Sequence, residues 1–475
     1  MAAPPDLTAG GMPNNTRTTN LGPTGMRGWI YHVSGGNTGE SRQIQITAVD
    51  SGSPAHGVLA ANDVILGADG TGVSPAPFSS DARKSLALAI ADAEARNPAT
   101  LKLLRWRSGT TATVEITLRT MGTYSATAPY NCPKSSLILT EGAQWVFDNE
   151  TSGRYSFGAL SLLASGNSAY ATRVRNEARA RVPSASTRTQ MMSDSRDASS
   201  MITWERGHTL VFLAEYYLAT GDAQVLPGIE AYAVNIAKNS SLFGTVGHIF
   251  AEKNPDGSPN GPMGGVYGPV NSSGMPCFLG LLLARECGIT HPSLQPAIDR
   301  ASLFFASYTG RGAIPYGEHE PSPSHEGNGR SGLAALIFAL EETRAEAGKF
   351  FAKMATAAPS ERENGHTGAF FNYLWSPLGA AAGGEAAAAE HFKRISWTLD
   401  LARRWNGAFV YDCLNGEGPN SGSTYNDFRM STAALLVYAL PLRQLHITGR
   451  GHDASRWLSA ADVADAAAAD DYSVA

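Results

Sequence analysis

The sequence predicts a protein of two domains, a small α+β domain followed by a larger domain built from helices. Three observations support this organisation. The chain has 475 residues, which is more than one ordinary hydrophobic core accommodates. Apolar residues recur mostly at every second position from about residue 25 to residue 118, as in strands, and at helical spacing from about 135 to 449. Polar, glycine-containing turns precede several of the predicted helices.

The first domain, residues 25–120, is predicted to contain four strands and one helix. Period-two alternation places the strands at 43–49, 62–69, 99–107 and 111–119, and a longer apolar stripe places the helix at 81–96. Residues 1–24 are rich in Pro, Gly, Asn and Thr, so we expect a flexible or extended segment.

Residues 49–70, VDSGSPAHGVLAANDVILGADG, closely resemble the PDZ family. A strand, a Gly-Ser-Pro-Ala turn, a Leu-containing turn and an Asp-Val-Ile-Leu strand follow one another in the order typical of that family. The resemblance implies a groove in which the C-terminus of a peptide adds as a strand. The matching groove residues are Arg27, Gly28 and Trp29, although bulky Trp29 and charged Arg27 depart from the family's Gly-Leu-Gly-Phe pattern. The alternative is a PDZ-shaped module that docks on its own partner domain.

The second domain, residues 135–450, is predicted to contain about eleven helices joined by loops rich in Gly and Pro. A degenerate repeat of roughly 40–65 residues is typical of stacked helical hairpins, which form either a solenoid or a closed ring. Residues 451–475 are acidic and rich in Ala, so we expect a frayed helix or a tail.

One predicted helix, Thr203–Asp222, carries a polar face at its beginning. Glu205, His208 and Thr209 lie three and four residues apart and therefore share that face. Packing alone does not explain a carboxylate and an imidazole there.

Five predicted helices begin with polar, glycine-rich or aromatic turns. In a closed ring these starts would point into one cavity, where helix dipoles favour anionic or hydroxyl-rich ligands. Nearby aromatic residues would stack on sugar rings, and the alternative for each turn is a simple helix cap. The starts are Trp204–His208, Asn271–Gly274, Glu326–Arg330, Asn364–Thr367 and Tyr425–Arg429, and the aromatic residues are Trp204, Tyr267, Tyr316 and Tyr425.

The helical region resembles the α/α-toroid (six-hairpin) carbohydrate enzymes. The resemblance is local and rests on Trp204, Gly207-His208 and the ending Ala219-Thr220-Gly221-Asp222. It matches the β-L-arabinofuranosidase and unsaturated glucuronyl hydrolase branches, but the cysteine-rich zinc site of the former is absent. The whole chain resembles a bacterial family with a PDZ-like module before a toroid, and that resemblance implies no particular reaction.

From these residues we expect a glycoside hydrolase that acts on a poly- or oligosaccharide. A glycosidase needs two carboxyl groups, for which Glu205 and Asp427 are the first candidates and Glu326 the next. His208, His366 and Arg330 would orient hydroxyl groups or a uronate. One alternative is a polysaccharide lyase, with His208 or His366 as the base beside Arg330 and Tyr267. The other is a binding protein without enzymatic activity, formed by the PDZ-like module and the helical array.

Composition and motifs exclude several other classes. With 37 basic and 42 acidic residues the net charge is −5 and no basic run occurs, so we expect no nucleic-acid partner. We also expect no membrane span, no cofactor, no metal site and, from four scattered cysteines, no disulfide scaffold. The acidic and histidine-containing segment 316–330 fits no metal motif and is interpreted as a lid. The protein is expected to be exported, to the periplasm or outside the cell, although this sequence contains no signal peptide.

Overall fold

A computed structural model describes residues 6–7, 13, 18–33, 37–193, 195–258, 268–317, 319–362, 370–410, 423–424 and 428–469. The strands are β1 (Thr19–Asn20), β2 (Met26–Ile30), β3 (Ile44–Val49), β4 (Val64–Asp69), β5 (Ala99–Arg107), β6 (Thr110–Leu118), β7 (Ser423–Thr424) and β8 (Phe428–Arg429). The helices are α1 (Ala82–Glu94), α2 (Pro133–Asn149), α3 (Phe157–Ala164), α4 (Ala171–Ala180), α5 (Ala185–Met192), α6 (Ile202–Thr220), α7 (Leu226–Asn239), α8 (Asn271–Glu286), α9 (Leu294–Ala306), α10 (Arg330–Glu341), α11 (Ala345–Thr356), α12 (Phe370–Ala382), α13 (Glu385–Ala402), α14 (Met430–Tyr438) and α15 (Ala460–Ala469).

The N-terminal sheet has six antiparallel strands in sequential order, from β1 to β6. The helix α1 connects β4 to β5 and packs against both strands. Ile44, Ile65, Leu86 and Leu101 are fully buried between the sheet and this helix. The four predicted strands and the predicted helix of this region are therefore confirmed to within about two residues, because alternating burial left a clear period in the sequence.

Part of the predicted N-terminal segment is ordered as a strand. Thr19 and Asn20 form β1, which pairs with β2, and the next residues, Gly22–Thr24, form a 3-10 turn with every residue buried. A strand of two residues is too short to show a period, so the sequence did not reveal it.

The predicted helices of the C-terminal region are present wherever the structure describes the chain. In the row α6, α8, α10 and α12, each helix lies beside the next, while α7 packs on α6 and α8 and α11 packs on α10. At Gly332 of α10 a Cβ atom would lie 2.2 Å from the carbonyl oxygen of Trp375 in α12, so only glycine allows these backbones to approach. Every second helix therefore lies beside the next one in the row, which is the arrangement found in stacked helical hairpins.

Two helices of this region, α4 and α5, were not predicted. Only Val174 and Ala178 of α4 and only Met191 of α5 are buried, so neither helix has the apolar stripe that helical periodicity needs. The tail contains α15, in agreement with the predicted frayed helix. Among the described residues, no helix is long and apolar enough to cross a membrane.

Contacts divide the chain into two compact units. The first consists of Met1–Asp148, Glu363–Phe370 and Phe392–Ala434, and the second of Asn149–Arg362, Phe371–His391 and Leu435–Ala475. The sheet thus shares its unit with α2 and with the end of α13, and its core includes Leu401 of α13.

The first unit contains a buried network of four charges. The carboxylate of Glu94, at the end of α1, lies 2.6 Å from Arg403 Nη2 and 2.9 Å from Lys134 Nζ. Asp400 lies 3.6 Å from Lys134 Nζ and accepts a 2.9 Å hydrogen bond from the Tyr124 hydroxyl. Two acids balance two bases here, and the pKa of Arg403 is raised, because its attraction to Glu94 and Asp400 outweighs burial.

Candidate functional site

The beginnings of α6 and α8 bind the same loop carbonyl. Thr203 of α6 donates its hydroxyl to the carbonyl oxygen of Gly247 at 2.7 Å, and Ser273 of α8 donates to that same oxygen at 3.0 Å. Both hydroxyl-bearing residues are buried. The loop around Gly247 therefore joins the first turns of two neighbouring helices.

The beginnings of α8 and α10 are joined in a similar way. Arg330, the first residue of α10, donates to Ser272 Oγ of α8 at 3.1 Å and to the carbonyl oxygen of Ile314 at 2.6 Å. Asn271 of α8 donates its side-chain amide to the Pro315 carbonyl oxygen at 2.9 Å and its backbone N–H to the Tyr316 carbonyl oxygen at 2.8 Å. Three of the five predicted helix starts are therefore linked by hydrogen bonds, whereas a cavity shared by all five stays a prediction.

A line of polar and aromatic side chains connects these starts, and we call it the helix-start cluster: Trp204, His208, His248, Tyr316 and Arg330. The indole N–H of Trp204 donates to His248 Nδ1 at 2.9 Å. The other imidazole nitrogen, Nε2, lies 3.5 Å from the Tyr316 hydroxyl oxygen. The Arg330 guanidinium lies 5.8 Å from the centre of the Tyr316 ring. His248 and Tyr316 are partly exposed, whereas Trp204 and Arg330 are buried.

His208 is enclosed by aromatic rings. Its side chain is buried, and the ring centres of Tyr155 and Phe157 lie 5.3 and 5.0 Å from its own. Its Nδ1 donates to the Trp204 carbonyl oxygen at 2.9 Å, which leaves Nε2 unprotonated and without a partner among the described residues. Burial lowers the pKa of His208 to about 4, so the imidazole is neutral at physiological pH.

Arg330 carries a buried positive charge with no described carboxylate within ion-pair distance, and the acidic residue that acts on it through space is Glu326. Its hydrogen bonds go to the Ile314 carbonyl and the Ser272 hydroxyl, both uncharged. Burial lowers its pKa only to about 10, so it stays protonated at neutral pH. An unpaired buried cation is costly, and an anion that binds beside it would reduce that cost.

Glu326 is fully buried just before α10. Its Oε1 accepts a hydrogen bond from the Gly332 backbone N–H at 3.2 Å, so the side chain acts as a cap for the first turn of the helix. Desolvation, opposed by that hydrogen bond and reinforced by nearby Glu361, raises the pKa of Glu326 to about 8. The carboxyl group is therefore mostly protonated at neutral pH, but in the described structure it is not exposed to a substrate.

Glu205 follows Trp204 in α6 but pairs with a residue outside the helix-start cluster. In the first turn of α6 its carboxylate pairs with Arg154 Nε at 3.0 Å, and about 30% of its side chain is exposed. The shared helix face predicted for Glu205 and His208 thus separates into an exposed acid and an enclosed imidazole.

Several predicted site residues lie outside the described residues. They are Tyr267, His366, Tyr425 and Asp427, together with the helix start Asn364–Thr367. Of the fifth predicted helix start, Tyr425–Arg429, the structure describes only the last two residues. These residues, Phe428–Arg429, form the strand β8, which directly precedes α14.

The predicted groove residues lie in β2. The Arg27 side chain pairs with Asp50 at 3.0 Å, Gly28 pairs with Thr19 of β1, and Trp29 is buried. Binding of a peptide at this strand stays a prediction.

The segment predicted as a lid is partly anchored. Glu361 accepts hydrogen bonds from the backbone N–H groups of His325 and Glu326, at 2.6 and 3.1 Å, and therefore holds the residues next to α10 in place. His319 and Glu320 are exposed, and Glu318 lies outside the described residues. Within the described part of the chain, no three His, Cys, Asp or Glu side chains are grouped so that they could hold a metal ion.

Sequence reasoning missed His248 and Phe371. His248 lies in a loop, where no hydrophobic periodicity marks individual residues. Phe371 has the same apolar character as its neighbours in α12, so the sequence does not distinguish it from them. The Phe371 ring nevertheless stacks on Trp204 and His208, with ring centres 5.7 and 6.4 Å apart. Only contacts between segments distant in sequence reveal these two residues.

The model of a protein family described as a domain of unknown function (DUF6288) matches residues 135–449, and the chain belongs to that family. The matched residues include the entire helix-start cluster. No curated protein and no solved structure matches the chain. Because the family description names no reaction, the function has to be argued from the chemistry of the cluster.

Proposed function

We propose that this protein is a carbohydrate-active enzyme that cleaves an anionic polysaccharide by acid–base chemistry at the helix-start cluster. The observation that carries the proposal is the position of Tyr316. Its hydroxyl group lies 3.5 Å from His248 Nε2, and its ring lies 5.8 Å from the Arg330 guanidinium. β-elimination next to a carboxylate needs a base, a group that positions the base and a positive charge that stabilises the carboxylate, and we assign these roles to Tyr316, His248 and Arg330.

The charge of the cluster favours an anionic substrate. Arg330 is buried with hydrogen bonds to uncharged groups, and the nearby carboxyl group of Glu326 is mostly protonated at neutral pH. The N-terminal ends of α8 and α10 add the positive ends of two helix dipoles. A uronate or sulfate group of a polysaccharide would supply the missing negative charge.

In β-elimination a base removes the proton next to the uronate carboxylate, the glycosidic oxygen leaves, and a carbon–carbon double bond forms. We assign the base to the phenolate form of Tyr316: its oxygen takes the proton from the carbon and becomes a phenol, and it then gives that proton to the leaving glycosidic oxygen, which regenerates the phenolate. Arg330 would stabilise the charge that develops on the carboxylate. His248, whose Nε2 carries the proton, would hold the phenol oxygen in place.

Hydrolysis is the second candidate, although the sequence favoured it over elimination. In its favour, Glu326 has the raised pKa of a general acid and Glu205 is a partly exposed carboxylate. Against it, Glu326 is fully buried and Glu205 is paired with Arg154. Asp427, the other predicted carboxylate, lies outside the described residues.

Two finer features of the fold belong to the same proposal. The stacked hairpins are proposed to close into an α/α toroid, with the helix-start cluster facing its cavity. The six-stranded sheet with α1 is proposed to be a PDZ-like module, on the strength of the strand order that residues 49–70 resemble.

The test is an activity screen of the full chain against a panel of acidic and neutral polysaccharides. Absorbance of unsaturated uronates measures elimination, and a reducing-sugar assay measures cleavage of either kind. We expect both signals from at least one acidic polysaccharide and neither from the neutral ones. Reducing ends without unsaturation would replace elimination by hydrolysis, and the absence of both signals would favour a binding protein without enzymatic activity.

A further inference from the structure

In the first unit, a short strand of the same chain covers one edge of β2. β1 lies antiparallel to β2, with Thr19 opposite Gly28 and Asn20 opposite Arg27. The pairing continues one residue further, where the Leu21 N–H donates to the Met26 carbonyl oxygen at 3.1 Å. Residues 19–24, which we call the inserted segment, therefore take the edge of β2 that faces away from β3. An added peptide strand would need that same edge.

The inserted segment also fills the space between β2 and α1. Leu21 is fully buried in the core formed by the sheet and α1. A Cβ atom on Gly28 of β2 would lie 3.0 Å from Leu21 Cδ1, and one on Gly22 would lie 3.0 Å from Ile90 Cδ1 of α1. Both glycines are therefore needed for the segment to fit closely against the strand and the helix.

A buried polar contact recognises the residue before Leu21. The side-chain amide of Asn20 donates to the carbonyl oxygens of Leu401 and Arg403, at 2.5 and 3.2 Å. Leu401 lies in the last turn of α13, where helix carbonyls lack partners in the helix, and Arg403 directly follows that helix. The groove thus has an apolar pocket for a leucine and a polar pocket for an asparagine.

The turn that follows leaves no place for the terminal carboxylate of a peptide. The chain continues from Leu21 through the buried turn Gly22–Thr24 into β2. The backbone N–H of Met26, at the start of β2, already donates to Thr24 Oγ1 at 3.0 Å. This groove therefore holds an internal segment and not a chain end.

We propose that the groove between β2 and α1 is a self-complemented strand site that recognises an internal Asn-Leu segment, and that residues 19–24 of the same chain are its occupant. A tethered segment competes at an effective concentration on the order of millimolar. Free C-terminal peptides consequently do not bind the intact chain. Removal of the segment exposes a site that accepts the same sequence from another molecule.

The direct test compares the full chain with a variant that lacks residues 1–24. The probe is a fluorescent peptide of residues 17–24 with both ends capped, so that it carries no terminal carboxylate. We expect the peptide to bind the truncated variant and to raise the melting temperature of that variant. We expect no binding of the peptide to the full chain. A peptide with Asp at the position of Leu21 is the matched control and should bind at least tenfold more weakly. A folded truncated variant that does not bind the capped peptide contradicts the proposal, as does a full chain that binds free C-terminal peptides equally well.

A second measurement does not depend on the stability of the truncated variant. Native-state amide hydrogen exchange on the full chain should show a protected Leu21 amide, and L21A should speed its exchange about tenfold or more. The Ile90 amide within α1 is the internal control and should change much less. A Leu21 amide that exchanges at the rate of an unprotected amide in the native chain would contradict the proposal.

Discussion

The indole N–H of Trp204 donates to Nδ1 of His248 across 2.9 Å, so a helix residue determines the tautomer of a loop histidine. An indole nitrogen can only donate, which means that Nδ1 carries no proton and that the neutral ring is protonated at Nε2. Nε2 is the nitrogen that lies 3.5 Å from the Tyr316 hydroxyl. The first turn of α6 thereby orients the groups of the proposed reaction without itself being exposed to substrate.

Replacement of Trp204 by phenylalanine tests this orientation. W204F keeps an aromatic ring in the buried position but removes the donor that favours the Nε2–H tautomer of His248. We expect turnover to fall on the order of 10- to 100-fold, as for a displaced acid–base group, with a small change in melting temperature. W106F is the matched control, since the indole N–H of Trp106 in β5 has no hydrogen-bond partner among the described residues. Equal turnover for W204F and wild type would exclude an orienting role.

Glu326 predicts a specific dependence of stability on pH. Its pKa is about 8 in the folded protein, against an ordinary value of 4.5 for a solvated glutamate side chain, so folding stabilises the protonated form. This contribution is fully present below pH 4.5 and is lost as pH rises through about 8. In the wild type the free energy of unfolding should fall by at most about 1.4 kcal/mol per pH unit. E326Q resembles the protonated side chain, so its free energy of unfolding should not show this fall. Urea unfolding from pH 5 to pH 8 measures it, with E320Q at an exposed position as control. Parallel pH profiles for E326Q and wild type would contradict the assignment.

The buried charges of the first unit predict a large stability effect for one lysine. K134M leaves Glu94 and Asp400 with Arg403 alone and should lower the free energy of unfolding by about 3–5 kcal/mol. The second substitution in K134M/E94Q restores the balance of charge and should recover part of that loss. K102M, which removes the partly exposed partner of Glu115, should cost about 1 kcal/mol or less. Urea denaturation of the four proteins provides the comparison, and equal losses for K134M and K102M would mean that the network contributes little.

Glu205 distinguishes hydrolysis from elimination. E205Q retains the volume of the side chain and changes only its charge and proton chemistry. If Glu205 is a hydrolytic acid or base, turnover should fall on the order of 100-fold or more. If its role is the ion pair with Arg154, we expect a loss of at most about 1 kcal/mol of stability and unchanged turnover. Turnover and melting temperature measured on the same preparation separate the two results, and R154Q is the control for loss of the ion pair alone.

The sequence predicted the local parts of this structure better than the contacts between distant segments. The strands 43–49 and 99–107 and the helix Thr203–Asp222 leave their own period in the sequence, so they were found. The same periodicity placed His208 beside Glu205, but it could not show that Tyr155, Phe157 and Phe371 enclose the imidazole.

Long-range polar contacts leave no local signal at all. Glu94 and Arg403 are 309 residues apart, and nothing in the sequence around either residue distinguishes it from a surface charge. The link from Trp204 to His248 spans 44 residues and ends in a loop. The repeat pattern predicted that helix starts would meet, whereas the residues that join them became apparent only from the folded chain.

The most direct test of the proposed function is the turnover of Y316F on an acidic polysaccharide that the wild-type protein cleaves. The substitution removes only the hydroxyl group that lies beside His248 Nε2, and it leaves the ring next to Arg330. We expect turnover to fall on the order of 100-fold or more, while the melting temperature stays close to that of the wild type. A folded Y316F protein that forms product at the wild-type rate would show that the helix-start cluster is not the reaction centre.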